Sequence, residues 1–291
     1  MRTAVLAAGV WALAASAMAA DTPSPDKWRA LDPAQTLYID TTQGRVVVEM
    51  FPEIAPLAVA RVKELARQKF YDGLSFHRVM NKFMAQGGDP NGDGSGGSKL
   101  PNLTEEFMFR RGKDMAFEKA ANQGGATLGF YKSLPIASQP DDMMAITRDG
   151  KAAAWGLHCT GVAAMARETE PNTANSQFYL MRATYPSLDK RYTVWGRVVW
   201  GQEAVNKLAV GEPPPIPDKM TAVRVAADLP EAERAPIYVV KTDSKAFEDT
   251  INDVRKKAGA DFSVCDVPVA ATVADTKERG RAWWHKIPLI P

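Results

Sequence analysis

Between Leu37 and Ala226 short runs rich in Val, Ile, Leu, Tyr and Phe recur, many of them bounded by Gly or Pro. That punctuation constrains the fold most, because such runs suit strands and leave little room for long packed helices. Leu37–Asp40 and Arg45–Phe51 flank Thr41-Thr42-Gln43-Gly44 and read as a hairpin. Pro56 opens a helix in which Val59, Val62, Leu65 and Ala66 share one face. Leu74–Gln86 is apolar with interspersed polar residues and ends in Gly87-Gly88-Asp89-Pro90. Val162–Ala166, Ser176–Met181, Tyr192–Val199 and Met220–Ala226 are strand candidates, and Gln202–Leu208 is a short helix. With strands outnumbering helices, the expected fold is mainly β: an antiparallel sheet closed into a barrel, with a few covering helices.

The two ends differ from this middle. Arg2 precedes an apolar run from Ala4 to Ala15 and then small residues up to Ala20, the layout of a secretory signal peptide over residues 1–19, cut near Ala19 or Ala20. The run is too short to span a bilayer, so no stable membrane insertion and a periplasmic location are expected. Residues 20–35 are Pro-rich and polar and read as a flexible lead-in to a domain over 36–229. Within it, about 108–154, with Gly124-Gly125, Pro135 and Pro140, reads as a long insertion of irregular structure. Gly211 to Pro217 is a stiff connector. Residues 230–291 read as a small α/β extension. In it, Ile237–Val240 is a strand, Asp243 or Ser244 caps a helix ending at Gly259, and Phe262–Val267 is a second strand. Trp283-Trp284, near the C-terminus, is a candidate contact for a dedicated partner.

Several function classes are excluded by what the chain lacks. Thirty-six Lys and Arg face 34 Asp and Glu, too balanced for a broad nucleic-acid footprint. Gly92, Gly94 and Gly97 satisfy G-x-G-x-x-G, but Pro101 follows where a dinucleotide fingerprint needs a helix, so the segment reads as a loop. His77, His158 and His285 are scattered, and Cys159 and Cys265 have no metal-ligand spacing, so no metal or cofactor is expected. In an oxidising compartment the two cysteines either form one disulfide or remain two separate buried thiols.

The most informative stretch is Phe76-His77-Arg78-Val79-Met80-Asn81-Lys82-Phe83-Met84-Ala85-Gln86-Gly87-Gly88-Asp89. A charged Arg amid apolar neighbours is costly unless its donors are used. With Tyr71 before it, the stretch resembles the signature of the cyclophilin family. Gly161-Val162-Ala163-Ala164-Met165-Ala166 through Pro171-Asn172-Thr173-Ala174-Asn175-Ser176-Gln177-Phe178-Tyr179 resembles that family's second hallmark. Leu188-Asp189 through Tyr192 to Gly201 resembles the strand and turn that follow.

That resemblance implies an eight-stranded antiparallel barrel capped by helices, and peptidyl-prolyl cis/trans isomerase activity on unfolded or flexible proline-containing polypeptides. It implies Arg78 as the catalytic residue and Phe83, Met84, Tyr179 and Leu188 as the pocket for the prolyl ring. Gln86 and Gln177 would hold the peptide backbone, with Ala166, Arg167 and Tyr192 along the adjoining wall. Tyr179 stands where Phe is frequent, Tyr192 where His is common, Ser187 where Trp is frequent, and Arg167 where Asn is common. The alternative on the same barrel is a non-catalytic holdase chaperone or an envelope scaffold.

Overall fold

The computed structural model describes residues 23–274. The expected leader and the Trp283-Trp284 pair lie outside the described residues. The lead-in departs from expectation: Trp28–Ala30 forms a strand, β1, rather than flexible chain. It is held because its backbone pairs with a strand of the C-terminal extension, Trp28 opposite Val240.

Strands β2 (Thr36–Thr41) and β3 (Gly44–Met50) form the expected hairpin, with Thr41 opposite Gly44. Helix α1 (Pro56–Arg67) follows and buries Ala58, Val59, Val62, Leu65 and Ala66. Its first turn is capped from elsewhere in the chain: the Glu106 carboxylate accepts from the Leu57 and Ala58 amides, each at 2.9 Å. Leu74–Gln86 resolves into two short strands, β4 (Arg78–Val79) and β5 (Met84–Gly87), joined by a turn in which Lys82 takes φ 53°.

The insertion is regular, not irregular. It contains β6 (Phe109–Arg111), β7 (Glu118–Gln123), β8 (Ala126–Tyr131) and β9 (Leu134–Ser138). A short helix, α2 (Met143–Ile146), precedes β10 (Ala152–Gly156). The five strands pair in the order β6-β10-β9-β8-β7. Gly124-Gly125, which read as loop, is a two-residue hairpin turn with φ of 58° and 78°, between paired Gln123 and Ala126. Two successive positive φ values match the right-handed twist of the flanking strands, and glycine adopts them at no steric cost.

Next come β11 (Val162–Met165), β12 (Phe178–Met181), β13 (Val194–Trp200), α3 (Gln202–Lys207) and β14 (Met220–Val225). The main sheet has eight strands in the order β14-β2-β3-β13-β11-β12-β5-β4, every pairing antiparallel. Bridges Ser75 to Lys219 and Val79 to Gly211 draw its two edges together. Leu37, Val48, Phe76, Phe178, Leu180 and Trp195 fill the interior of this curled sheet.

The extension contains β15 (Ile237–Val240), α4 (Lys245–Ala258) and β16 (Ala271–Val273), with sheet order β1-β15-β16. Ser244 caps α4 by accepting from the Phe247 amide, and Gly259 ends it at φ 58°. Phe262–Val267 is not the expected strand. The Ser263 side chain accepts from the Cys265 amide and turns the chain through Val264–Asp266. Cys265 is joined to Cys159 in a disulfide, with Cα atoms 5.1 Å apart.

A second core lies outside the barrel. Phe51, Phe130, Ile136, Tyr179, Met181, Phe247, Ile251 and Val264 belong to it, so barrel, insertion and extension share one apolar layer. Polar cement accompanies it. Arg29 on β1 donates to both carboxylate oxygens of Glu49, at 2.7 and 2.8 Å. The Ser133 hydroxyl donates to the same carboxylate at 2.5 Å, and Arg197 donates to the Ser133 carbonyl at 2.7 Å. Burial pulls Arg197 down to about 10, opposed by the nearby Glu49 charge.

The outer edges of the smaller sheets are short or charged. β6, β1 and β16 have three residues each. β7 carries Glu118 and Lys119, and Arg255 of α4 donates to its Ala120 carbonyl. No described helix is long and apolar enough to cross a membrane.

Candidate active site

The site follows from strand alternation. On β12, Phe178 and Leu180 face the barrel interior, while Tyr179 and Met181 face the second core. On β5, Ala85 points inward and Met84 outward. Register then lines up one outward row across four strands. Arg78 lies opposite Gln86, Gln86 opposite Tyr179, and Tyr179 opposite Ala164. Residues far apart in sequence are thereby brought side by side.

Arg78 and Gln86 are both partly exposed within this row. The Arg78 guanidinium sits 6.0 Å from the centre of the Phe83 ring, and its Nη2 is 3.1 Å from the Met80 sulfur. Its Nε donates to Glu212 Oε2 at 2.6 Å. Gln86 donates its amide to Gln177 Oε1 at 2.9 Å. Gln177 in turn donates to the Gly94 and Gly96 carbonyls at 2.9 and 2.7 Å, so the Gly-rich loop is a wall of the site. That loop is shaped by Asp89, whose carboxylate accepts from the Asn91, Asp93 and Gly94 amides.

The apolar part of the site continues the second core to the surface. Met84 and Tyr179 are buried members, and Phe83, Leu188 and Tyr192 pack against it half-buried. Phe83 stacks on Tyr185 with ring centres 4.6 Å apart, which lengthens the apolar wall. Tyr179 and Tyr192 meet edge to face at 5.8 Å. Ala166 donates its amide to the Gln177 carbonyl at 2.9 Å. Arg167 lies over the Tyr192 ring at 4.6 Å, and its guanidinium donates to the Arg191, Glu168 and Thr169 carbonyls. A groove of about 210 Å³ runs beside Gln86, Ala166, Arg167, Asn175 and Gln177. Strand register, hydrogen bonds, ring contacts and the shared apolar cluster thus link the ten residues named from the sequence.

Three polar residues linked to this set are given no role in the site by the sequence reading. Glu212 meets Arg78 across 134 positions of sequence. His158, its side chain fully buried, contacts Asp189 through Nδ1 at 2.9 Å and the Tyr179 hydroxyl through Nε2 at 3.1 Å. The Asp189 carboxylate can only accept, which assigns the proton to Nδ1 and leaves Nε2 to accept from Tyr179. Burial, followed by the nearby Tyr192, holds the Tyr179 hydroxyl well above its ordinary pKa, so it stays neutral. The one available signal is Tyr179 itself: a buried hydroxyl needs a partner, and among the described residues His158, 21 positions away, supplies it.

Residues 36–225 match the family model described as cyclophilin type peptidyl-prolyl cis-trans isomerase/CLD. A probable peptidyl-prolyl cis-trans isomerase of Brucella suis is 32% identical over 204 residues, covering 68% of this chain and 86% of that protein. Human peptidyl-prolyl cis-trans isomerase-like 1 is 29% identical over 188 residues, covering 65% of this chain and 85% of its own. The crystal structure of cyclophilin AquaCyp293 from Hirschia baltica superposes with TM-score 0.80 at 34% identity, covering 86% of this chain and 94% of that one. With the family match spanning well over half its length and the curled antiparallel barrel in place, this chain belongs to the cyclophilin family of peptidyl-prolyl cis/trans isomerases.

Proposed function

We propose that this isomerase accelerates rotation about X–Pro bonds of exported polypeptides, with Arg78 as the catalytic residue. Rotation breaks no covalent bond but loses amide resonance, at a barrier of about 18–20 kcal/mol. Uncatalysed exchange takes tens to hundreds of seconds, slow enough to limit folding. As the bond twists, the prolyl nitrogen regains a lone pair that the planar amide had delocalised. A donor aimed at that nitrogen binds the twisted state better than either ground state, which is the condition for catalysis. The Arg78 guanidinium is permanently charged and planar, and it lies beside the Phe83 ring, where a bound peptide would exclude water and strengthen its hydrogen bond.

The supporting observation is the row Arg78–Gln86–Tyr179 across β4, β5 and β12. Phe83, Met84, Tyr179 and Leu188 form the seat for the prolyl ring. The Gln86 carbonyl oxygen, left without a protein partner by the Gln86–Gln177 bond, accepts from the peptide backbone. Ala166, Arg167 and Tyr192 contact the residues that flank proline. Arg78→Ala should lower kcat/KM on the order of 10²-fold, as loss of one transition-state donor does. Near-wild-type exchange in a proline-containing peptide would remove Arg78 from this role.

An exported location is supported by the 1–19 leader pattern and by the disulfide, since disulfides persist in oxidising compartments. Cell fractionation with N-terminal sequencing should find the protein in the periplasm, beginning at Ala20 or Asp21. Recovery from the cytoplasm with Met1 retained would refute it.

A further inference from the structure

Glu212 occupies a fixed place beside Arg78. Gly211 and Val79 exchange backbone hydrogen bonds at 2.8 and 2.9 Å, so the chain at 211 runs as an added rung on β4. Beyond it, a Cβ at Gly211 would lie 2.4 Å from Pro214 Cα, so the Pro213–Pro215 run folds back tightly on residue 211. The far side of this loop is anchored by Asp218, which accepts from the Ala209 amide at 2.7 Å and from Thr42 and Gln43 side chains at 2.5 and 2.8 Å. A backbone held at both ends, with prolines between, fixes the place from which the Glu212 side chain reaches Arg78.

The Glu212 carboxylate meets the Nε of Arg78 at 2.6 Å. The two side chains are 37% and 48% exposed, so the pair contributes little to stability. Its effect is directional. A long arginine side chain samples many rotamers, and one bond to Nε fixes the plane in which the terminal nitrogens lie. Nη2 meets only the Met80 sulfur, a weak acceptor, and Nη1 has no protein partner. The terminal donors are thus oriented yet uncommitted.

We propose that Glu212 is a positioning residue that sets the Arg78 guanidinium for the twisted prolyl nitrogen. This rests on the catalytic reading of Arg78 given above. The peptide itself is gripped by Gln86, Gln177 and the apolar wall, none of which Glu212 touches. Releasing Glu212 therefore weakens the transition-state contact and leaves ground-state binding alone.

The test is peptide isomerisation by the full chain, with kcat and KM resolved, for Glu212→Ala, Glu212→Gln, Arg78→Ala and the Arg78→Ala/Glu212→Ala double variant. Glu212→Ala should lower kcat about 10-fold with KM and thermal midpoint unchanged. Glu212→Gln, which keeps the reach and a carbonyl acceptor for Nε, should recover most of that loss. In the Arg78→Ala background, removing Glu212 should cost nothing further. An undiminished kcat for Glu212→Ala, a defect carried by KM alone, or a Gln variant no better than Ala would each overturn the proposal. Should Arg78→Ala be inactive while Glu212→Ala is fully active, only the positioning role fails. Full activity of Arg78→Ala would overturn both readings together.

Discussion

Breaking the Cys159–Cys265 disulfide is the sharpest test of how the extension is held. The bond closes a loop of 106 residues. The chain-entropy relation assigns a loop of that length about 16 cal/mol/K, or about 4.8 kcal/mol at 25 °C. Compactness of the unfolded chain makes this a ceiling. With a urea slope of about 3 kcal/mol/M, the full value would lower the unfolding midpoint by about 1.6 M. Cys159→Ala and Cys265→Ala each remove the same bond, so either one should produce most of the loss and the double variant little more. Urea unfolding of the oxidised protein and the three variants, followed by tryptophan fluorescence and far-UV circular dichroism, measures this directly. Two single variants that unfold at the wild-type midpoint would refute the reasoning, and so would two losses that add. The first result would mean that the apolar contacts of Phe247, Ile251 and Val264 hold the extension without a covalent tie.

Tyr179→Phe keeps the ring but strands His158 Nε2 in a site with no solvent, so stability should drop by about 1–2 kcal/mol while turnover suffers far less than in Arg78→Ala. Lost activity with an unchanged melting temperature would contradict that division. Glu49→Ala leaves Arg29 and the Ser133 hydroxyl without their shared acceptor and should cost about 3 kcal/mol, read from chemical denaturation; a midpoint shift within error would show the network to be dispensable. Hydrogen bonds from Arg110 hold Asp149 down to about 2, and those from Lys119 and then Arg111 hold Asp141 below the usual carboxylate range. A depressed folded value gives stability that is present above the unfolded carboxyl range and disappears as pH falls through the folded one. The ion pairs of Arg110 and Arg111 on β6 with Asp149 and Asp141 should therefore loosen between about pH 4 and pH 2, seen as faster amide exchange in β6 and β10; constant protection across that window would be inconsistent with it.

Local chemistry made much of this fold readable. The β2–β3 hairpin, α1 and the Ser244-capped α4 stand where alternation, a leading Pro56 and an N-cap hydroxyl put them. The insertion was misjudged because Gly124-Gly125 and Pro135 mark irregular chain as readily as a tight turn and a strand. What decides between them is burial of Phe130, Leu134 and Ile136 in the core they share with α4, where Phe130 meets Phe247 edge to face, a tertiary fact. β1 was missed because a three-residue strand has too few positions to show a period, and its partner lies some 210 residues away, as the pairing of Trp28 with Val240 shows. In the site, family resemblance named the apolar and amide groups. Glu212, His158 and Asp189 stayed hidden because each acts through a partner far off in the chain.

An isomerase that acts on proline-containing peptides works next to exposed backbone that can seek hydrogen-bond partners. Any bare strand margin on its own surface would capture such a client by β-augmentation and hold it away from the groove. The three-residue margins β1, β6 and β16 offer too short a template, and Arg255 occupies a carbonyl of β7 that a client amide would otherwise use. Among the described residues these margins therefore leave a client little backbone to pair with.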